Sequence, residues 1–463
     1  MSEQPSDHDT PGAAGHDPDR PAALLEFMAT GWAPRAVELP AEHPSAPHRA
    51  RRRQALAERF PGERLVVPTG GYKTRANDTE YRFRPSTEFA HLVGSHEPDA
   101  VLVVEADGAA VLYQAPVMDR STPAFFTDRV YGELWVGPRP SLEAISALLG
   151  IQARPLEELD KLSGPARVVR GDDARVEGLF DTDEQADAEL VEFLSELRLV
   201  KDEHEVAQLQ DAVDATVKGF EDVVRQLDRA QETSERWVEG VFGLRARVEG
   251  NDVGYSSICA AGAHACTLHW TDNDGPVRSG DLMLLDMGVE NVELYTADVT
   301  RTLPVSGTFT PRQRQVYDLV FAAQEAGIAA CRAGADFLAP HRAAMQVLAY
   351  GLVELGVLED AEAALAEDAQ LYRRYTLHGV SHMLGLDVHD CAHARSEVYR
   401  KGPLQPGYVL TVEPGLYFQP DDLTVPADLR GIGVRIEDDI VVTDGDPVNL
   451  SAALPRDADG VEG

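Results

Sequence analysis

Between about residues 55 and 195 the apolar runs are short and often β-branched. RLVVP is followed by AVLVV and AAVLY, and the Asp107-Gly108 pair between the last two reads as a hairpin turn. Helical stretches such as SLEAISALLG are interleaved, which predicts an α/β domain. The texture changes near Lys201. Val206, Leu209, Val213, Val217, Phe220, Val224 and Leu227 recur at steps of three and four, which predicts a long amphipathic helix opening a second domain. A further helix is signalled at Thr310-Pro311, an N-cap followed by Pro at the first helical position, ahead of Val316, Leu319 and Val320. Around these helices lie the extended runs DLMLLDMGVE, ADVTRTLPV, YVLTVEPGLYF and GVRIEDDIVV, so the second domain reads as α+β.

The chain has 463 residues, 43% of them hydrophobic, enough for two domains with substantial cores and too apolar for wholesale disorder. Acids outnumber bases 78 to 42, a formal charge of −36. Such a surface repels phosphates and anionic lipids, so nucleic acid and membrane are poor partners, while divalent cations and small substrates are better ones. Four scattered cysteines form no CxxC pair, against a disulfide framework or zinc ribbon. The polar, acidic first twenty residues lack a basic start and an apolar stretch, and no apolar run approaches about 18 residues. The expected location is cytoplasmic. The expected plan is an acidic leader at 1–45, an N-terminal domain at 46–198, a catalytic domain at 199–455 and a tail at 456–463, with both ends fraying.

The four extended runs carry the chemistry. Asp286 interrupts the apolar LMLLDMG, where a carboxylate is unfavourable unless paired. Asp298 follows twelve residues later across an expected hairpin, Glu413 ends VLTV, and Glu437 sits within VRIEDDIVV. Any one of these reads as an edge acid facing water, and the triplet Glu437, Asp438 and Asp439 alone reads as a solvated turn. Four acids converging on one apolar surface require neutralising cations.

Histidine adds another ligand type. LHGVSHMLGLDVHD holds His378, His382 and His389, and CTLHWTDN holds His269. The His378 to His382 spacing matches HExxH, but Gly379 stands where the general base of a zincin belongs, and Gly385 disfavours the helix. One histidine with four carboxylates is a hard oxygen-and-nitrogen set suited to manganese, iron(II), cobalt or zinc. Four negative charges balance two divalent ions, and such pairs, roughly 3.5–4 Å apart, can share a water and polarise a carbonyl. Metal-assisted hydrolysis is the implied reaction.

Together, LLDMG, TADVTRTLP, HGVSHMLGLDVHD, TVEPGLYF and GIGVRIEDDIVV resemble the pita-bread metallopeptidases of the aminopeptidase P, or Xaa-Pro aminopeptidase, branch, over roughly residues 60 to 450. RANDTEYRFRPSTEFAHLVG resembles that family's creatinase-like N-terminal domain. The resemblance implies an α+β fold with a C-terminal pita-bread domain. It implies Asp286, Asp298, His382, Glu413 and Glu437 as ligands of two divalent ions, usually manganese, with Asp298 and Glu437 bridging. A hydroxide between the ions would attack the carbonyl preceding proline, and Glu413 would relay its proton. His269, His378 and His389 would orient substrate and stabilise the oxyanion, with Arg435 supporting the site and substrate. Implied partners are peptides with N-terminal Xaa-Pro and further copies of the chain, as a dimer or tetramer. Two alternatives stand beside this: prolidase, which shares the ligands but cleaves only Xaa-Pro dipeptides, and a metal-free peptide-binding relative. PDDLTVPADLRGIGVRIEDD favours the aminopeptidase branch.

Overall fold

A computed structural model describes residues 20–35 and 39–462. The chain divides into two compact units, one ending at Leu194 and the other beginning at Ser195. Of the expected leader, residues 1–19 and 36–38 lie outside the described residues, and Ala22–Met28 forms a short helix.

The first unit is built on one mixed sheet. Its strands are β1 (Leu65–Pro68), β2 (Val101–Val104), β3 (Ala110–Gln114), β4 (Gln152–Pro155) and β5 (Arg167–Val168), in the order β4-β3-β2-β1-β5. The central pairs are antiparallel, and β4 and β5 join the sheet in parallel. Helix α1 (Ala46–Arg59) supplies Leu56 to one face, where Leu65, Val67, Leu102 and Leu112 point; Val66, Val101, Val103 and Val111 fill the other. Burial on both faces is why these strands are uninterrupted apolar runs. The predicted turn holds: Gly108 has φ +87° and donates its N–H to the Glu105 carbonyl at 2.8 Å.

The second unit opens with the predicted helix, α2 (Glu203–Val224). Asp202 and Glu205 form a capping box at its start, while Val224 is exposed and Leu227 begins a separate short helix. After α3 (Glu235–Glu249) come β6 (Ile258–Ala261), β7 (Leu282–Met287) and β8 (Val299–Pro304), an antiparallel sheet in the order β8-β7-β6. Alternation along β7 decides the site. Met283, Leu285 and Met287 pack toward Phe220, Val238 and Phe242 of the helices, so Leu284 and Asp286 face the opposite side.

The second half repeats this logic. Helices α4 (Pro311–Ala330), capped by Thr310 and Gln313, and α5 (Ala339–Glu354) cover Leu410 and Val412 of β9 (Val409–Val412). Thr411 and Glu413 therefore face away from those helices. The hairpin of β10 (Gly415–Tyr417) and β11 (Gly433–Arg435) follows, then β12 (Asp438–Val441), paired with β9. The Glu437 N–H donates to the Thr300 carbonyl at 3.1 Å, and Thr302 Oγ1 donates to the Arg435 carbonyl at 3.0 Å. These bonds tie the two sets of strands together. Observed helices, strands and their order agree with the α+β expectation.

The last residues depart from expectation. Instead of fraying, Ala458–Glu462 is helical, Ala458 is buried, and Tyr317 donates to the Arg456 carbonyl at 2.9 Å. The reason is Arg301, 1% exposed, whose guanidinium donates to the carbonyls of Thr300, Glu437, Leu454 and Pro455 and to Asp438. A buried cation needs these acceptors, and the C-terminal run supplies two of them. Among the described residues no helix is long and apolar enough to cross a membrane.

Candidate metal centre

Asp286 and Thr300 oppose each other across β7 and β8, so Asp298, two residues before Thr300, lies on the same face as Asp286. One hydroxyl joins them. Tyr255 bonds Asp286 Oδ1 at 2.7 Å and Asp298 Oδ1 at 2.5 Å. Glu437 enters from the turn between β11 and β12, where Thr300 Oγ1 donates to its Oε2 at 2.6 Å. His382 lies on an irregular segment, not a helix; its Nδ1 meets the Met383 carbonyl at 3.1 Å. That leaves Nε2 for the acids, 3.4 Å from Asp298 Oδ2 and 3.5 Å from Glu413 Oε1. One ligand atom each from Asp298, His382 and Glu437 lies within 4.8 Å of the others.

All five predicted ligand positions line one cleft of about 1440 Å³, as do His269, His378, His389 and Arg435. Their depths differ. His269 and His389 are exposed, while Arg435 is 4% exposed. His389 stands edge-on to His382, with ring centroids 4.4 Å apart. His378 places Nδ1 3.4 Å from Glu413 Oε2 and Nε2 2.8 Å from the Tyr417 hydroxyl. Arg435 donates to Asp286 Oδ2, to the Tyr417 hydroxyl at 2.9 Å and to Thr300 Oγ1 at 3.2 Å. Its guanidinium is thus engaged by protein groups around Asp286.

The charges are under strain. Burial raises the Asp298 carboxyl to about 6, even against its hydrogen bond to His382. Burial, with Asp298, Glu413 and Asp286 nearby, pushes Glu437 well above the usual carboxylate range. Burial alone would lower His382, but its bond to Asp298 and the Glu413 charge carry it up to about 9. Glu413 would be raised by burial too, yet His378, His382 and Arg435 hold it down at about 2. Buried acids this crowded, with Arg435 the principal fixed cation, suit occupation by divalent ions, and the oxygen-rich donor set is hard.

Several groups carried no signal in the sequence. Tyr255 sits in the unremarkable GYSSI. Asp438 and Asp439, read from the triplet alone as a solvated turn, are both fully buried. Asp438 accepts from Arg301, Ser451 and Gln324, and Asp439 Oδ2 accepts the Asp298 N–H at 3.1 Å. Two supports hold the histidine segments. Asp390, next to His389, is clasped by Arg198 Nε at 2.9 Å and Lys201 Nζ at 3.0 Å, all three side chains at or below 3% exposure. Glu235, fully buried, accepts from the amides of Ala261 and Gly275, from His264 and from Trp270, the neighbour of His269.

Residues 207–444 match the model of metallopeptidase family M24, and residues 49–166 match the aminopeptidase P N-terminal domain. The chain belongs to metallopeptidase family M24. Like other M24 metallopeptidases it is a hydrolase of peptides that works with divalent metal, and it is a metalloaminopeptidase. Xaa-Pro aminopeptidase 1 of Streptomyces coelicolor is 58% identical over 449 residues, covering 95% of this chain and 91% of that protein. Among solved structures, proline aminopeptidase P II from Yersinia pestis superposes with a TM-score of 0.76 at 32% identity, covering 90% and 98% of the two chains. Zn-substituted Escherichia coli aminopeptidase P in complex with product gives 0.77 at 31% identity, covering 91% and 98%.

Proposed function

We propose that this M24 enzyme removes the N-terminal amino acid from peptides with proline in second position. Asp286, Asp298, His382, Glu413 and Glu437 would hold two divalent ions, with manganese the favoured metal and Asp298 and Glu437 shared between them. The observation that carries this is His382 Nε2 lying 3.4 Å from Asp298 and 3.5 Å from Glu413, with Glu437 in the same cluster and Asp286 tied to Asp298 through Tyr255, a concentration of acid that Arg435 alone does not offset. Ions bound there would supply Lewis acidity to the scissile carbonyl and a lowered pKa for water. Relatives named Xaa-Pro aminopeptidase support the substrate class.

The chain's own groups do the rest. Glu413, an ionised carboxylate beside the carbonyl position, accepts a proton and returns it to the leaving nitrogen. Such a return matters for proline, whose ring nitrogen leaves as a basic secondary amine. His378, fixed between Glu413 and Tyr417, keeps that carboxylate oriented. His389 and His269, exposed on the cleft wall, present ring nitrogens to the substrate backbone and developing oxyanion. The chain acts as a homo-oligomer, dimer or tetramer, in the cytoplasm.

The deciding experiment is release of the first residue from an Xaa-Pro-Zaa tripeptide with and without added manganese, beside the Xaa-Pro dipeptide. Cleavage of the tripeptide is expected. Activity confined to the dipeptide would make the enzyme a prolidase, and metal analysis finding one ion per active chain would overturn the two-ion site.

A further inference from the structure

Helix α3 (Glu235–Glu249) is apolar on two sides. Val238, Phe242 and Ala246 are buried in the core of the second unit. Trp237, Val241, Leu244 and Val248 recur at steps of four, three and four along a different face, and that face lies open: Leu244 and Val248 are each 68% exposed and Trp237 37%. A helix face turned to water ordinarily carries polar side chains at these steps. Gly240 and Gly243 lie beside the stripe. A glycine inside a helix costs about 1 kcal/mol relative to alanine, and nothing within the chain calls for either one, because a Cβ at each would meet no atom within 4 Å. What glycine supplies at such a place is the close approach of another backbone. The charges are arranged around the same point. Glu239 stands four residues before Gly243 and Arg247 four after it. Among the described residues Glu239 has no ion-pair partner, and Arg247 donates only to the carbonyls of Gly250 and Asn251.

We propose that the outer face of α3 is an interface with a second copy of this chain, the two helices packing antiparallel about a two-fold axis at Gly243. It rests on the homo-oligomeric reading above and names the surface. In an antiparallel pair related by such an axis, each edge of the helix meets the same edge of its mate. The charged edge then sets Glu239 against the partner's Arg247, twice over, while the apolar edge sets Trp237 against the partner's Val248 and Val241 against the partner's Leu244. The glycines fall at the crossing point. Charge selects a second copy as the occupant: over most of its surface a protein of charge −36 repels its own kind, but α3 carries three arginines and three glutamates, the balance needed by a patch that must meet itself. A 15-residue helix spans about 22 Å, and one such pair buries on the order of 1,000 Å² in all, the low end for a specific interface, so the contact is reversible and depends on concentration.

Gly243→Cys in the full chain is the direct test. The four native cysteines are buried, so an exposed thiol is introduced where the axis would pass. Under mild oxidation Gly243→Cys should give a covalent dimer on a non-reducing gel. Arg236→Cys, exposed on the same helix but about 20 Å from its mate across that axis, should stay a single chain. Sedimentation over a range of concentrations measures the contact itself. Leu244→Glu should raise the dissociation constant at least about tenfold. Arg247→Glu and Glu239→Arg should each weaken association about three- to tenfold, and the two together should return it to within about threefold of wild type, a rescue that a general loss of stability would not give. An oligomer that none of these substitutions alters, or equal crosslinking of both cysteine variants, would overturn this interface while leaving self-association intact. A wild-type protein that stays a single chain up to about 100 μM would overturn both.

Discussion

A Cβ on Gly385 would lie 2.0 Å from Asp390 Oδ2, closer than any side chain can approach. The glycine that disfavours a helix in the His378–His389 segment is thus what lets the chain pass the Asp390 clasp. Gly385→Ala should destabilise the protein by about 1–3 kcal/mol through overpacking and lower kcat/KM by displacing His382 and His389. Urea midpoints and peptide kinetics on the same preparation check this; unchanged values in both would show that the segment relaxes freely.

Tyr255 joins Asp286 and Asp298 through one hydroxyl. Tyr255→Phe should retain the fold but release metal more readily, with affinity lowered about 10- to 100-fold as for other groups that orient ligands. Metal-buffer titrations give the number. An affinity equal to wild type would mean the hydroxyl does not position either acid.

Asp298→Asn should abolish activity. Because burial already resists ionisation of this carboxyl, chelated Asp298→Asn should melt at or above chelated wild type. Full activity, or a large fall in the metal-free melting temperature, would contradict the assignment of Asp298 as a shared ligand.

Asp390 supplies the pH dependence. Burial would raise its pKa, but Lys201 and Arg198 hold it well below the usual carboxylate range. The unfolded chain, with an ordinary value of about 4, therefore takes up a proton before the folded one does. The stability from this group is fully present above about pH 4 and is lost as pH falls through the depressed folded value. Asp390→Asn removes the buried carboxylate that Arg198 and Lys201 share and should cost about 3–5 kcal/mol at pH 7. The gap to wild type should narrow below about pH 4 in thermal or urea unfolding; a gap independent of pH would refute the charge argument.

Glu235→Gln tests the other support. An amide would turn an NH2 toward N–H donors that now meet carboxylate oxygens. A loss of about 1–3 kcal/mol is expected, with changed Trp270 fluorescence and a raised KM if the loop positions His269 for substrate. Kinetics identical to wild type would restrict Glu235 to stability alone.

How much of this was legible follows from which interactions are local. The α2 stripe, the Thr310-Pro311 cap and the Asp107-Gly108 turn obey short-range rules, and each has its counterpart in the structure. Asp286 stood out because it is an acid interrupting an otherwise continuous apolar run. Tyr255, Glu235 and the Arg198, Lys201 and Asp390 clasp were silent, since each acts on partners 26 to 192 residues away. Asp438 and Asp439 misled for the same reason: an acidic triplet looks solvated until Arg301, 137 residues away, is brought against it.

Arg301 also links the C-terminal run to the acid cluster. It grips the carbonyls of Leu454 and Pro455 with the same guanidinium that holds those of Thr300 and Glu437. Trimming the chain before Leu454, or appending an affinity tag that unwinds Ala458–Glu462, would loosen the strand beside Asp298 from a distance. Purification handles and crystallisation truncations for this enzyme therefore belong elsewhere than at its C-terminal helix.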